Sequence, residues 1–271
     1  MPDKGYTLAT GDSGAYRLQI LNAIHQPYSE FLLKRAGLSP GMQVADIGCG
    51  TGNVSFLIAS KVGINGSVCG VDISEAQLDI ARSQAKNLNL DNVTFTEGSA
   101  YDTGLPKESF DLVYCRFMLI HLNRPIEALI EMKSLLKPGG LLVCEEADFS
   151  KAFCQPSAKV YDICYEMLIG LASSRGQNFC LGIELYDIFN HAGFVNPEIS
   201  FIQPVVTREN KRLIDMSLME ARNALIEAQL TDSHEVDKII SQMTELALDN
   251  TTLFGIPRVT QIWSRRVMSK E

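Results

Sequence analysis

Long apolar runs are missing from this chain. None approaches the ~18 residues that a helix needs to cross a bilayer, which excludes a helical membrane span. The opening residues, Met1-Pro2-Asp3-Lys4-Gly5-Tyr6, lack the charged-then-apolar order of a secretory leader. Basic tracts are missing as well. The net charge is −8 and the pI about 5.1, so no surface of this composition is built to neutralise phosphates. The pair Arg265-Arg266 reads as a solvated strand end. No C-x-x-C pair occurs among the seven cysteines (49, 69, 115, 144, 154, 164 and 180), and most of them sit in apolar runs. They read as reduced thiols rather than a disulfide framework. His25, His191 and His234 stand alone, and no His/Cys/Asp spacing suits a metal, so none is expected. Internal repeats and low-complexity segments are absent. The expectation is a cytoplasmic protein with no membrane and no nucleic-acid partner.

What remains is ample for a core. Of 271 residues, 46% are hydrophobic, which suits one large α/β domain or a domain with a cap. The informative stretch runs from 44 to 52, Val-Ala-Asp-Ile-Gly-Cys-Gly-Thr-Gly. Four residues read as a buried strand ending on Asp46-Ile47. Glycines follow at alternate positions, 48, 50 and 52, and then Val54, Leu57 and Ile58 take helical spacing. Strand, glycine turn and helix make a small-ligand site, because glycine permits positive φ and close approach, while a helix start offers free N–H groups. The order G-x-G-x-G differs from the G-x-G-x-x-G that cradles a pyrophosphate. Asp46 beside the turn would repel a pyrophosphate and suit a cation. A second strand ends on Val71-Asp72-Ile73-Ser74, placing an acid where it can accept both hydroxyls of a ribose.

These residues, D-I-G-C-G-T-G at 46–52 and V-D-I-S at 71–74, resemble the class I S-adenosylmethionine-dependent methyltransferases. L-K-P-G-G-L-L at 136–142 fits the same family, so the likeness covers roughly 40–147. The resemblance implies a Rossmann-like doubly wound sheet of seven strands, mostly parallel with an antiparallel last strand, plus helical cap insertions. It implies S-adenosylmethionine as cofactor, S-adenosylhomocysteine as product and a small-molecule acceptor. Around the cofactor it places Asp46, Gly48, Cys49, Gly50, Gly52, Asp72, Ile73, Gln77, Ser99, Ala100, Cys115 and Arg116. Ser99 stands where the family often has an acid for the adenine amino group, with Asp102 as a nearby substitute. N-terminal helices in the family cover the cofactor, which brings in Tyr6, Tyr16 and Arg17; Arg17 suits the methionyl carboxylate, an acidic substrate or plain solvent. Arg116 and His121 are the substrate-side, catalytic candidates. His121 follows a strand that reaches the site and can take a proton near neutral pH, or else only pack a helix.

The expected organisation is an N-terminal helical segment at 1–37 over the cofactor and a binding core at 38–150. Helical cap pieces at 151–180 and 207–252 interrupt the remaining sheet at 181–206 and 253–271. Pro27 is expected to split the first segment into two helices, the second spanning 28–36. Met216, Met219 and Leu225 are expected to line one face of a cap helix. Glu146 and Asp148, just past the fifth strand, are expected to face substrate or solvent. The cap could also pair with a second copy as a homodimer. Two other function classes stay in view. One is an S-adenosylmethionine-binding protein with different chemistry or none, since fold does not determine reaction. The other is a nicotinamide-dependent reductase, which the glycine spacing opposes.

Overall fold

The structure, a computed structural model, describes residues 12–267, with side chains from Tyr16 onward; Tyr6 lies outside them. The chain opens with helix α1 (Asp12–Ala36). It then alternates β1 (Gln43–Ile47), α2 (Asn53–Val62), β2 (Ser67–Asp72), α3 (Glu75–Asn87), β3 (Val93–Glu97), β4 (Phe110–Arg116), α4 (Pro125–Leu135) and β5 (Leu136–Asp148). After these come β6 (Phe153–Gln155), α5 (Lys159–Ser174), α6 (Leu185–His191), β7 (Glu198–Ile202) and β8 (Val205–Val206). The chain continues with α7 (Arg212–Glu227), α8 (Ser233–Leu248), β9 (Leu253–Gly255) and β10 (Arg258–Arg265).

The main sheet has seven strands in the order β3-β2-β1-β4-β5-β10-β7. The pairs from β3 to β5 are parallel, and β10 runs antiparallel to both β5 and β7. This is the doubly wound sheet with an antiparallel last strand that the sequence implies. Strand order reverses between β1 and β4, and ligands in such sheets bind beyond the carboxyl ends of the strands at that point.

The pleat divides the core. Ala45, Val113, Cys115, Leu142 and Cys144 face one apolar cluster, while Val44, Leu112, Tyr114, Leu141 and Val143 face the other. Alternation sends Cys115 inward, with its sulfur 3.2 Å from that of Cys144, and leaves Arg116 on the opposite side. All seven cysteines are free thiols.

Pro27 does not break α1. The helix is continuous over 25 residues, although an internal proline loses one hydrogen bond and costs ~3 kcal/mol. Both halves are packed. Ile20, Leu21 and Ile24 join the first cluster, while Leu32, Leu33 and Ala36 join the second. The helix therefore bridges the two faces of the sheet at its carboxyl edge, and burial at both ends offsets the proline.

Helices α5, α7 and α8 pack on one another and share the first cluster with the sheet, through Tyr165, Leu168, Leu213, Leu218 and Met243 among others. The buried face of α7 is Leu213, Ile214, Leu218, Ala221 and Leu225; Met219 is 41% exposed and Met216 half-buried, so the three residues expected to share one face do not. A small sheet absent from the sequence reading, β6-β9-β8, ties the ends of these segments together. Its strands are two and three residues long, too short to show a period of two.

Gly52 marks how tightly the first turn is built. It precedes α2 with φ +81°, and a Cβ there would lie 2.8 Å from both the Phe56 and Phe95 rings, which meet edge to face. Gly52→Ala is expected to lower stability by about 2–4 kcal/mol, from the left-handed backbone and overpacking together. Urea denaturation checks this, and a change under 0.5 kcal/mol (about the scatter of a neutral surface substitution) contradicts it.

Candidate active site

The turn after β1 is held by β2. The N–H groups of Gly48 and Cys49 both donate to the Val71 carbonyl, at 2.7 and 3.0 Å. The Gly50 N–H donates to one Asp72 carboxylate oxygen at 2.8 Å, and the Ser74 N–H donates to the other at 2.9 Å. Gly48, Gly50 and Gly52 all have positive φ, and a Cβ on Gly50 would sit 2.9 Å from the Gln77 side-chain oxygen. Asp72 thus fixes two loops at once and borders the cleft beneath them. Burial raises its pKa, against the hydrogen bonds that it accepts from Ser74 and Gly50.

Asp46 closes the inner end of this cleft. It is 2% exposed, and burial lifts its pKa to about 6 against the Ser55 hydroxyl and the nearby Arg116 charge. Arg116 reaches the same cleft from β4. Its guanidinium donates to the Ser29 hydroxyl and the Asn22 side-chain oxygen, each at 3.0 Å, both on α1. A carboxylate and a guanidinium held at neighbouring strand ends complement a zwitterion, such as an amino-acid group.

The cleft encloses about 190 Å³ and is lined by Asp46, Gly48, Cys49, Gly50, Asp72, Ile73, Gln77, Ser99, Ala100, Arg116 and His121 from the expected set. Four candidates are elsewhere. Tyr16 is 58% exposed and does not line the cleft. Arg17 turns away to the Glu220 carboxylate at 2.8 Å, across from α7. Gly52 supports the turn from behind, and Cys115 faces the core for the pleat reason given above. Asp102 does not border the cleft; its backbone pairs with that of Ser99. Among residues that sequence reasoning passed over, Leu18, Leu21, Met118 and Gln177 also line it. They come from α1 and from loops, where no local pattern marks them.

Beyond Arg116 the chain turns sharply. Phe117 has φ +54°, a strained value for a bulky residue. Its N–H donates to the Glu145 carbonyl at 2.9 Å, and the N–H groups of Met118 and Leu119 donate to one oxygen of the Glu146 carboxylate at 3.0 and 2.8 Å. Glu146 therefore caps the turn that carries His121. Neither it nor Asp148 lines the cleft or reaches water: both are fully buried, and Asp148 binds Ser150 and, at 3.1 Å, Arg258.

The strained turn delivers Phe117 and His121 to the wall between the cleft and a second, smaller cavity of about 80 Å³. Leu21 is the third residue common to both. The second cavity lies between α1, α5 and α7, with Phe149, Tyr165, Leu168 and Ile214 among its walls. His121 is half-buried and edge-on to Phe179 at 5.2 Å; desolvation, then the Arg17 charge, lowers its pKa to about 3. It is neutral at physiological pH in the ligand-free protein, the form that accepts a proton, but only as a weak base. Among the described residues, no group of three His, Cys, Asp or Glu could hold a metal ion, and no helix is long and apolar enough to cross a membrane.

Residues 38–193 match the family model described as a methyltransferase domain, more than half of the chain, and the chain belongs to that family. This domain is of the class I, S-adenosylmethionine-dependent kind. A demethylmenaquinone methyltransferase of Staphylococcus aureus (strain MRSA252) is 32% identical over 143 residues, 53% of this chain and 56% of the relative's length. The chain thus spans little more than half the length of that relative. Among solved structures, the YcgJ protein of Bacillus subtilis shares the fold with a TM-score of 0.60 at 18% identity, over 88% of this chain and 97% of that one. A Haemonchus contortus phosphoethanolamine N-methyltransferase 2, solved with S-adenosylhomocysteine, has a TM-score of 0.55 at 17% identity, over 98% of this chain and 55% of that one.

Proposed function

We propose that the larger cleft holds S-adenosylmethionine and that the smaller cavity holds an apolar, cyclic acceptor. The observation that carries this reading is the common wall of Leu21, Phe117 and His121, which sets the two spaces side by side. Asp46 binds the ammonium and Arg116 the carboxylate of the methionyl end. Asp72 accepts the ribose hydroxyls, and Ile73, Ser99 and Ala100 surround the adenine. The cofactor supplies a methyl already activated on a sulfonium. The chain's own task is to align donor and acceptor and to exclude water. Phe117 and Phe149 offer aromatic walls to a flat acceptor, and Glu146 keeps the His121 turn in place.

The acceptor named for the S. aureus relative, demethylmenaquinone, is of this apolar, ring-bearing kind. The acidic net charge of −8 supports an uncharged acceptor over nucleic acid, and the free thiols support a cytoplasmic location. Leu168→Trp tests the arrangement, since the indole fills the acceptor cavity from α5. With methyl-labelled cofactor and 1,4-dihydroxynaphthalene, label transfer is expected to fall at least about tenfold, the scale of one lost apolar contact set. Binding of S-adenosylhomocysteine by calorimetry should stay within about twofold, below the 1.4 kcal/mol that marks a tenfold change. Undiminished transfer in that variant places the acceptor elsewhere.

A further inference from the structure

The smaller cavity is apolar but not featureless. Polar groups on its wall are mostly committed. The Ser217 hydroxyl donates to the Leu213 carbonyl at 2.7 Å, Arg17 pairs with Glu220 at 2.8 Å, and the Tyr165 hydroxyl lies 3.4 Å from that of Tyr161, which donates to the Gly255 carbonyl at 3.1 Å. His25 differs. It sits on α1 one turn beyond Leu21, is 3% exposed, and its Nδ1 finds no hydrogen-bond partner among the described residues. Its ring packs edge-on to Phe117 with centroids 4.8 Å apart, and both residues line the smaller cavity. A buried nitrogen without a partner costs about 1–3 kcal/mol. That cost is recovered when a ligand supplies the missing bond.

We propose that His25 recognises the acceptor, which is an aromatic, otherwise apolar molecule carrying a hydroxyl. A hydroxyl both donates and accepts, so it satisfies Nδ1 in either tautomer of the neutral ring. Burial, reinforced by the Arg116 charge, holds the ring neutral, with a pKa of about 3. The role is therefore recognition and placement of the hydroxyl, not uptake of its proton. The inference rests on the acceptor-cavity reading above, and it narrows the substrate class from any apolar ring to hydroxylated ones.

The probes are 2-naphthol and 2-methylnaphthalene, equal in shape and different only in the hydroxyl. Each is titrated into the S-adenosylhomocysteine-loaded enzyme. Relative to wild type, His25→Phe is expected to cut the ratio of 2-naphthol to 2-methylnaphthalene affinity about tenfold, the worth of one net hydrogen bond. His25→Asn, which sets an amide close to the place of Nδ1, is expected to restore part of that ratio, an effect that lost packing would not produce. S-adenosylhomocysteine binding in each variant confirms that the chain is folded. A ratio unchanged in His25→Phe, with both probes still excluded by Leu168→Trp, overturns the role of His25 and leaves the cavity assignment standing. Failure of both probes to bind, or their indifference to Leu168→Trp, overturns the cavity assignment and this inference with it. Loss of S-adenosylhomocysteine binding in the wild type would instead strike at the cofactor cleft.

Discussion

Asp72→Ala is expected to weaken S-adenosylhomocysteine binding about 100-fold or more. Two charge-assisted hydrogen bonds to a ribose are worth about 1.5–3 kcal/mol each, and 1.4 kcal/mol is a factor of ten. The substitution also releases the Gly50 N–H at 2.8 Å and the Ser74 N–H at 2.9 Å, so both loops that form the cleft lose their common anchor. Asp72→Asn separates the two effects. Its amide oxygen can still accept from one loop, while the charge is gone, so a loss nearer tenfold is expected. Calorimetric titration of the three proteins decides the matter. Affinity in Asp72→Ala within about threefold of wild type, less than one ordinary hydrogen bond, removes Asp72 from the ribose assignment.

The stability of the ligand-free protein is expected to fall by about 2 kcal/mol between pH 6.5 and pH 8, each unit of a titrating mismatch being worth 1.36 kcal/mol. Glu146 is responsible. Burial raises its pKa from 4.5 to about 8, against the backbone N–H groups that it accepts. Between those values the folded state holds a proton that the unfolded state has released, so stability declines as pH rises toward 8. His25 and His121 act in the opposite sense, since burial lowers both from 6.5 to about 3. Below pH 6.5 the unfolded chain protonates them and the folded one does not, which lowers stability as pH falls. Asp46, raised from 3.8 to about 6, offsets one histidine over its own window, and Glu146 offsets the other. The four groups together place the optimum near pH 6.5 with a shallow acid side down to about 4.5. Chemical denaturation across pH checks the profile. Glu146→Gln should flatten the alkaline limb, and a limb that persists unchanged assigns it to another group.

The part of the site that was legible in the sequence is the part made by one continuous segment. The glycine turn and Asp46 are neighbours along the chain, and Asp72 ends the strand that pairs with theirs, so spacing alone brings them together. Arg116 was legible because a buried run must end where parallel strands end. The misplacements have equally local causes. Cys115 was assigned to the edge by proximity in sequence, and the alternation of the strand turned it inward. Pro27 has its usual effect in an isolated helix, and here burial of Ile24 and Leu33 on either side of it outweighs that effect. His25 looked isolated in the sequence, since nothing near it in the chain shows that α1 will lay it against Phe117.

The succession of strands and turns as far as β5, the glycine-built bend and the acid at the tip of β2 followed from the chain alone, because period, φ and hydrogen-bonding capacity are properties of short segments. The second cavity did not. Its walls come from α1, α5, α7 and the loop before β10, segments up to about 240 residues apart in the chain. Only the folding of the helical insertions onto the first apolar cluster brings them within contact, so the space that receives the acceptor is a product of packing rather than of any motif.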